Sequence, residues 1–225
     1  MERGQLVVFE GSEGAGKSTQ LRLLAERLGA VGIPVVSLRE PGGTPVGDAI
    51  RSILLDPSSD ISPAGEALLF MASRAEIVRR EIKPALKRGD VVLMDRFFLS
   101  TYAYQIAGRG LSESDVRAAN CLATDGLVAD LTIVLDLPFA DGMRRAAGRG
   151  AHDRMESSGE DFHARVERAF AESVTPAWQK EHPECGPVVR VDGTGSRDEV
   201  RSRVVAALLR AMPGRFAALR EEVDA

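Results

Sequence analysis

Short, continuous apolar runs alternate along this chain with longer stretches in which apolar side chains recur every three or four residues. Leu6-Val7-Val8-Phe9 is one such run, followed at once by glycines, as in a strand buried on both faces of a parallel sheet. Val35-Val36-Ser37-Leu38, Val91-Val92-Leu93-Met94 (ending in Asp95), residues 131–135 and Val188-Val189-Arg190-Val191 supply four more. Across residues 17–31, Leu21, Leu24, Ala25 and Leu28 keep helical spacing until Gly32 supplies a stop. A long helical stretch covers about 64–87, where Pro84 is predicted to kink it or begin a new helix. Helical patterns also cover 99–107, 113–127, 139–147 and 161–178. Strands separated by helices predict an α/β fold, a five-stranded parallel sheet with helices on both faces.

No fixed-period repeat interrupts this order. The Gly-rich, charged segment 148–159 lacks apolar periodicity and separates two helices, reading equally as a mobile loop or a solvated turn. Residues 1–212 are expected to form a single domain. Residues 213–225, after Met212, read as a tail that forms a short surface helix or frays.

The 225-residue length fits one large domain better than two small ones. With 44% hydrophobic and 28% charged residues, the chain is unlike a disordered one. An aromatic content of 5% argues against a base-stacking nucleic-acid module, and a net charge of −4 against general attraction to nucleic-acid phosphates. No apolar run reaches the roughly 18 residues of a membrane span. The first residues lead straight into a strand without a signal-peptide core. Cys121 and Cys185 lack metal-ligand spacing and read as reduced thiols, so the expected location is cytoplasmic. Lys17, Lys83, Lys87 and Lys180 are the only lysines among 29 basic residues. Genomic base composition produces such a skew, so arginines gain meaning only position by position.

The strongest local signal is Gly11-Ser12-Glu13-Gly14-Ala15-Gly16-Lys17-Ser18, between a buried strand and a helix. It matches the spacing of a phosphate-binding loop. Its glycines let successive N–H groups point at phosphate oxygens, and the helix N-terminus adds partial positive charge. Lys17 reaches toward the outer phosphates, the Ser18 hydroxyl is a Mg²⁺ ligand, and Thr19 continues the helix start. The chain is therefore expected to bind a nucleoside triphosphate. No Asn-Lys-x-Asp stretch for guanine is present, and Asp192-Gly193-Thr194-Gly195 lies after the last strand, where it reads as a turn rather than a switch. Asp95 stands where a carboxylate contacts Mg²⁺ directly or through water, and Arg96 follows it at the sheet edge where open α/β sheets bind ligands. An arginine there suits a bidentate contact with an acceptor's phosphate. An ordinary surface ion pair is the blander reading.

These residues resemble the thymidylate kinase family. The resemblance rests on the loop with its internal Glu13, on Arg39-Glu40-Pro41-Gly42-Gly43-Thr44, on Leu69-Phe70-Met71-Ala72-Ser73-Arg74-Ala75, and on Asp95-Arg96-Phe97 with Ser100 and Ala103-Tyr104-Gln105. It runs through about residues 6–209 and implies transfer of phosphate from ATP to dTMP with Mg²⁺, on a phosphate-loop NTPase fold, by a homodimer. It implies that Phe70 stacks on thymine while Arg74 bonds its edge; four residues apart on a helix, they share a face. Thr101 and Gln105 are implied as base-edge contacts, with Ser100 beside them and Tyr104 near the deoxyribose. Glu13 would accept from the sugar 3′-hydroxyl, and Arg39 and Arg96 would hold the acceptor phosphate. Since the loop interior Glu13-Gly14-Ala15 carries no arginine, a lid at about 144–159 is expected to supply the catalytic one, with Arg149 in the matching position. Arg144 or Arg145 would lie against adenine, and Glu156 would orient Mg²⁺ or pair with Arg154.

Bland alternatives exist for single residues: Phe70 and Tyr104 as core aromatics, Arg74 and the lid arginines as solvated charges. Two rival functions remain, a kinase for another nucleoside monophosphate and a nucleotide-binding protein that phosphorylates no small molecule. The paired acceptor features Arg39 and Phe70–Arg74 speak against the second. His152, His163 and His182 lack partners at metal or triad spacing and are expected at the surface or at helix ends, and Trp178 is expected to pack.

Overall fold

The computed structural model describes residues 3–147, 154–155 and 158–220. Its five strands, β1 (Leu6–Glu10), β2 (Val35–Arg39), β3 (Val91–Asp95), β4 (Leu131–Asp136) and β5 (Val188–Asp192), form one sheet in the order β2-β3-β1-β4-β5. Every pairing is parallel, with Leu6 opposite Val92 and Val7 opposite Leu131. The central β1 is buried along its whole length, which is why its sequence shows an apolar run and no alternation.

Side-chain alternation along the strands divides the core into two layers. Leu6, Val8, Val92 and Met94 pack with one set of helices, and Val7, Phe9, Val91 and Leu93 with another. The first layer takes Ile77 of α3 (Pro63–Ile77), Leu86 of α4 (Lys83–Arg88), Phe98 of α5 (Phe98–Thr101), and Phe162, Val166 and Phe170 of α8 (Glu160–Ser173). The second takes Leu21, Leu24 and Leu28 of α1 (Lys17–Ala30) and Val200, Val204 and Leu208 of α10 (Arg197–Ala211). Each fully buried side chain of this size contributes about 1.5–3 kcal/mol against leaving it in water.

The long helical stretch around Pro84 does not break. It widens into a π turn, Val78–Ile82, directly before α4, whose second residue is Pro84. A second π turn, Tyr102–Gly108, follows α5. The stretch 161–178 does break. Thr175 caps a new helix, α9 (Pro176–Glu181), by accepting from the Trp178 N–H. Two further helices, which the sequence reading did not single out, are marked by their caps. In α2 (Pro45–Leu55), Thr44 accepts from the Gly47 N–H, and in α10, Ser196 and Glu199 form a reciprocal capping box. The remaining helices are α6 (Glu113–Thr124) and α7 (Phe139–Ala147).

The stretch after Met212, read from sequence as a tail, packs in its described part. Phe216 and Leu219 are fully buried in the α1–α10 layer, and Arg215 donates to the Gly89 carbonyl at 2.7 Å. His163, in the first turn of α8, and His182, at the end of α9, stand at helix ends as expected, but not at the surface. Both are buried, His182 stacked on Trp178 with ring centroids 3.8 Å apart and His163 on Phe139 at 4.6 Å. His152 lies outside the described residues. Asp192 accepts from the Thr194 N–H and hydroxyl, the turn expected there. Among the described residues, no helix is long and apolar enough to cross a membrane.

Candidate active site

The loops that follow β1, β2 and β3 converge at the carboxyl edge of the sheet, the edge that open α/β sheets offer to ligands. Gly11, Gly14 and Gly16 of the first loop have φ values of 134°, 71° and 94°, which side chains with a Cβ rarely adopt. Gly14 is required by space as well. A Cβ there would stand 1.9 Å from the carbonyl oxygen of Gly142 in α7. The Lys17 ammonium folds onto the loop, donating to the carbonyls of Gly11 at 3.0 Å and Ser12 at 2.8 Å. Burial, reinforced by the neighbouring Arg96 charge, lowers its pKa to about 8. The Ser18 hydroxyl donates to Asp95 Oδ2 at 2.5 Å, so the two oxygen groups named as metal ligands stand together.

Arg96 has a φ of 70°, a left-handed conformation that is strained for a non-glycine residue. A buried carboxylate holds it there. Glu10, the last residue of β1, accepts the N–H groups of Phe97 at 2.8 Å and Ser100 at 3.0 Å through Oε1, and the Ser100 hydroxyl at 2.6 Å through Oε2. Burial raises the pKa of Glu10 against the opposing pull of Arg96 and these hydrogen bonds. So clamped, the Arg96 guanidinium donates to Glu13 Oε2 at 2.8 Å, to Ser100 Oγ at 3.1 Å and to the Gly11 carbonyl at 3.2 Å. Its Cζ lies 5.1 Å from the Tyr104 ring centroid.

Beside the phosphate loop opens a cavity of about 310 Å³. All nine residues that the sequence assigns to an acceptor line it: Glu13, Arg39, Phe70, Arg74, Arg96, Ser100, Thr101, Tyr104 and Gln105. Lys17, Ser18, Thr19 and Asp95 form its loop side. Phe70 is half-buried, and Arg39 is largely exposed at the rim, 4.0 Å from Asp48. The turn after β2 is fixed by Gly42 N–H to Ser73 Oγ at 3.0 Å and Gly43 N–H to Asp48 Oδ1 at 3.1 Å; its Glu40–Pro41 peptide is cis.

Arg74 is neither a solvated charge nor a free donor. It is 1% exposed, and all five of its N–H groups meet protein acceptors. Nε and Nη2 bond Glu40 Oε2 at 2.9 and 2.6 Å, Nη2 bonds the Phe97 carbonyl at 3.0 Å, and Nη1 bonds Thr101 Oγ1 at 3.0 Å and Asn120 Oδ1 at 2.8 Å. A contact between Arg74 and a base edge therefore requires one of these bonds to be exchanged. Burial raises the Glu40 pKa, with Arg74 opposing it.

A second cavity, of about 470 Å³, lies on the other side of the loop, lined by Gly14, Ala15, Gly16, Thr19, Gln20, Arg145, the turn at Gly193 and Gly195, and the start of α10. Arg145 lines it and donates to the Gly193 carbonyl at 3.4 Å. Arg144 instead pairs with Asp141 at 3.1 Å and is 78% exposed. Gly11 and Ser12 serve the loop through the carbonyls that hold Lys17. Arg149, Asp153 and Glu156 lie outside the described residues. Arg154 is described and pairs with Glu66 at 2.7 Å.

Sequence reasoning gave no role to Glu10, Glu66 or Asn120, and read Glu40 only as part of a motif. One signal was available for Glu66. It precedes Phe70 and Arg74 at successive four-residue steps, which places all three on one face of α3.

The sequence model of the thymidylate kinase family matches residues 9–182. Thymidylate kinase of Deinococcus radiodurans is 45% identical over 208 residues, covering 92% of this chain and 98% of that protein. That of Pelobacter propionicus is 42% identical over 213 residues, covering 92% and 94%. The crystal structure of thymidylate kinase from Ehrlichia chaffeensis superimposes with a TM-score of 0.71 at 30% identity, covering 92% of this chain and 98% of that one. With that family model matching most of its length and these relatives covering nearly all of it, the chain belongs to the thymidylate kinase family.

Proposed function

We propose that this chain carries out the reaction of its family, transfer of the γ-phosphoryl group of ATP to the 5′-phosphate of dTMP. The observation that carries this reading is that one of the cavities beside the phosphate loop is lined by every residue assigned to the acceptor. Phe70 stacks on the pyrimidine, and Gln105 and Thr101 meet its edge. Arg74 reaches that edge only by releasing a partner such as Thr101, so its larger part is to order Thr101 and the Phe97 backbone. Tyr104 lies against the deoxyribose and Glu13 accepts from its 3′-hydroxyl. Arg39 and Arg96 hold the acceptor phosphate. On the donor side, the loop N–H groups and Lys17 hold the triphosphate, and Arg145 is better placed than Arg144 to lie against adenine. Arg149 is the arginine assigned to the transferring group. The transfer is in line, driven by positioning and charge neutralisation, with no covalent enzyme intermediate.

The adjoining oxygens of Ser18 and Asp95 suit a hard divalent cation. Among the described residues no cluster of three or more His, Cys, Asp or Glu side chains offers a closed cage. A two-oxygen set fits Mg²⁺, which keeps waters and substrate phosphates among its ligands. When bound, Mg²⁺ supplies charge neutralisation of the phosphates.

A coupled assay across dTMP, dUMP, UMP, CMP and GMP tests the function. Activity is expected to be highest with dTMP, and a clear preference for another acceptor, or ATP turnover indifferent to all five, would refute the assignment. The same assay on Arg149→Ala tests the lid assignment, which an unchanged kcat removes. Lys17 supplies a pH test. Phosphate favours its ammonium form, so nucleotide affinity is expected to fall as pH rises past about 8, by up to about ten-fold per unit, with proton uptake on binding. Calorimetry in buffers of different ionisation enthalpy measures both; no uptake near pH 8 would contradict the assignment.

The homodimer implied by the family has a candidate surface in the exposed Val46 and Ile53 of α2, Leu68 of α3 and Leu122 of α6, which sedimentation mass tests. The free thiols of Cys121 and Cys185 fit a reducing, cytoplasmic setting, which a thiol count on protein from fresh lysate tests.

A further inference from the structure

Glu66 is a carboxylate with no exposed surface, one helical turn before Phe70, and the reaction as set out above gives it nothing to do. Its surroundings are specific. Oε1 accepts from Gln105 Nε2 at 2.9 Å and from Arg109 Nε at 3.2 Å; Oε2 accepts from Arg109 Nη2 at 3.0 Å and pairs with Arg154 Nη2 at 2.7 Å. Arg109 is itself braced, its Cζ lying 4.4 Å from the Phe162 ring centroid. Burial alone would raise the Glu66 pKa, but the hydrogen bonds from Arg109, Gln105 and Arg154 outweigh it and lower the value, so the group is ionised.

An ionised carboxylate only accepts hydrogen bonds, whereas a carboxamide has one donating and one accepting end. Glu66 can therefore be satisfied by the NH₂ end of Gln105 and not by its carbonyl. Gln105 is 2% exposed and lines the acceptor cavity, so its amide cannot turn over without leaving Glu66 facing an oxygen. We infer that Glu66 is a positioning residue that sets base selectivity by fixing the Gln105 amide, keeping its carbonyl as the end offered to the pyrimidine. An oxygen in that place accepts from the N3–H of thymine or uracil and meets a lone pair at N3 of cytosine. The discrimination is thus between N3-protonated pyrimidines and cytosine, and it rests on the acceptor reading above. A site built around one hydrogen-bond direction rejects the wrong partner because the buried group is left unpaired.

The test compares kcat/KM for dTMP and dCMP in four proteins: wild type, Glu66→Gln, Gln105→Met and the double variant. Glutamine at 66 can accept or donate, so Gln105 is free to turn. The dTMP-to-dCMP ratio is expected to fall about ten-fold in Glu66→Gln, the scale of one hydrogen bond. On the Gln105→Met background the same change should leave the ratio unaltered, which a general structural role would not predict. If wild type fails to prefer dTMP to dCMP, the acceptor reading falls and this inference with it. If wild type prefers dTMP and Glu66→Gln keeps the full ratio, only the role of Glu66 is overturned. Should Glu66→Gln not fold, proton exchange decides on the wild-type protein. The Gln105 carboxamide protons, identified by their loss in Gln105→Met, are expected to be protected, and exchange at the solvent rate would overturn the inference.

Discussion

Arg96→Lys is expected to lower kcat/KM for dTMP by about 10²–10³-fold, the range for losing a preorganised donor at a reacting centre, while the KM for ATP changes little. Lysine keeps the charge, so the loss isolates geometry. The Arg96 guanidinium reaches Glu13, Ser100 and the Gly11 carbonyl at once from a backbone held in a left-handed conformation. A single ammonium on a flexible stem can neither span those acceptors nor lie flat beside Tyr104. Steady-state kinetics with each substrate varied in turn separates the outcomes. Near-normal kcat/KM for dTMP would mean that charge alone suffices and that the Glu10 clamp serves only the backbone.

Arg74→Met is expected to destabilise the fold by about 3–5 kcal/mol, the cost of leaving one member of a buried ion pair unpartnered. At roughly 2–4 °C per kcal/mol for a chain of this size, the melting temperature should fall by roughly 6–20 °C. Glu40 Oε1 already lacks a hydrogen-bond partner, so losing Arg74 strips the rest of the carboxylate. The folded protein then favours protonated Glu40 and binds that proton more tightly than the unfolded chain does. Stability of the variant should accordingly be greatest on the acid side and fall as pH rises above the ordinary glutamate range, until Glu40 ionises in the fold. Chemical denaturation at about pH 5 and about pH 8 measures this, and replacing both partners by apolar residues should restore much of the loss. An Arg74→Met protein as stable as wild type at both pH values would show that the pair contributes no stability.

Much of this architecture was legible because burial on both faces writes each strand as an unbroken apolar run, and because a phosphate loop needs its residues contiguous. The residues assigned to the acceptor stand in contiguous motifs, and they line one cavity. The carboxylates that hold them were not. A glutamate at a strand end or on a helix reads the same whether it is solvated or buried, and its partners are remote in sequence. Glu10 meets Ser100 across 90 positions, Glu40 meets Arg74 across 34, and Glu66 meets Gln105 across 39. Both π turns were invisible for another reason. Each widens the helix for only about a turn, too short a stretch for the shift in apolar spacing to be read. Arg144 and Arg145 are adjacent and chemically alike, and only the direction of each from α7 separates them.

The two cavities that flank the phosphate loop have just Gly14, Gly16 and Thr19 in common. On the proposed assignments, none of the side chains given to the pyrimidine lines the cavity given to adenine. Changes in which monophosphate is accepted can thus accumulate in evolution, or be engineered, without disturbing donor choice, and their energetic effects on the two sides should simply add.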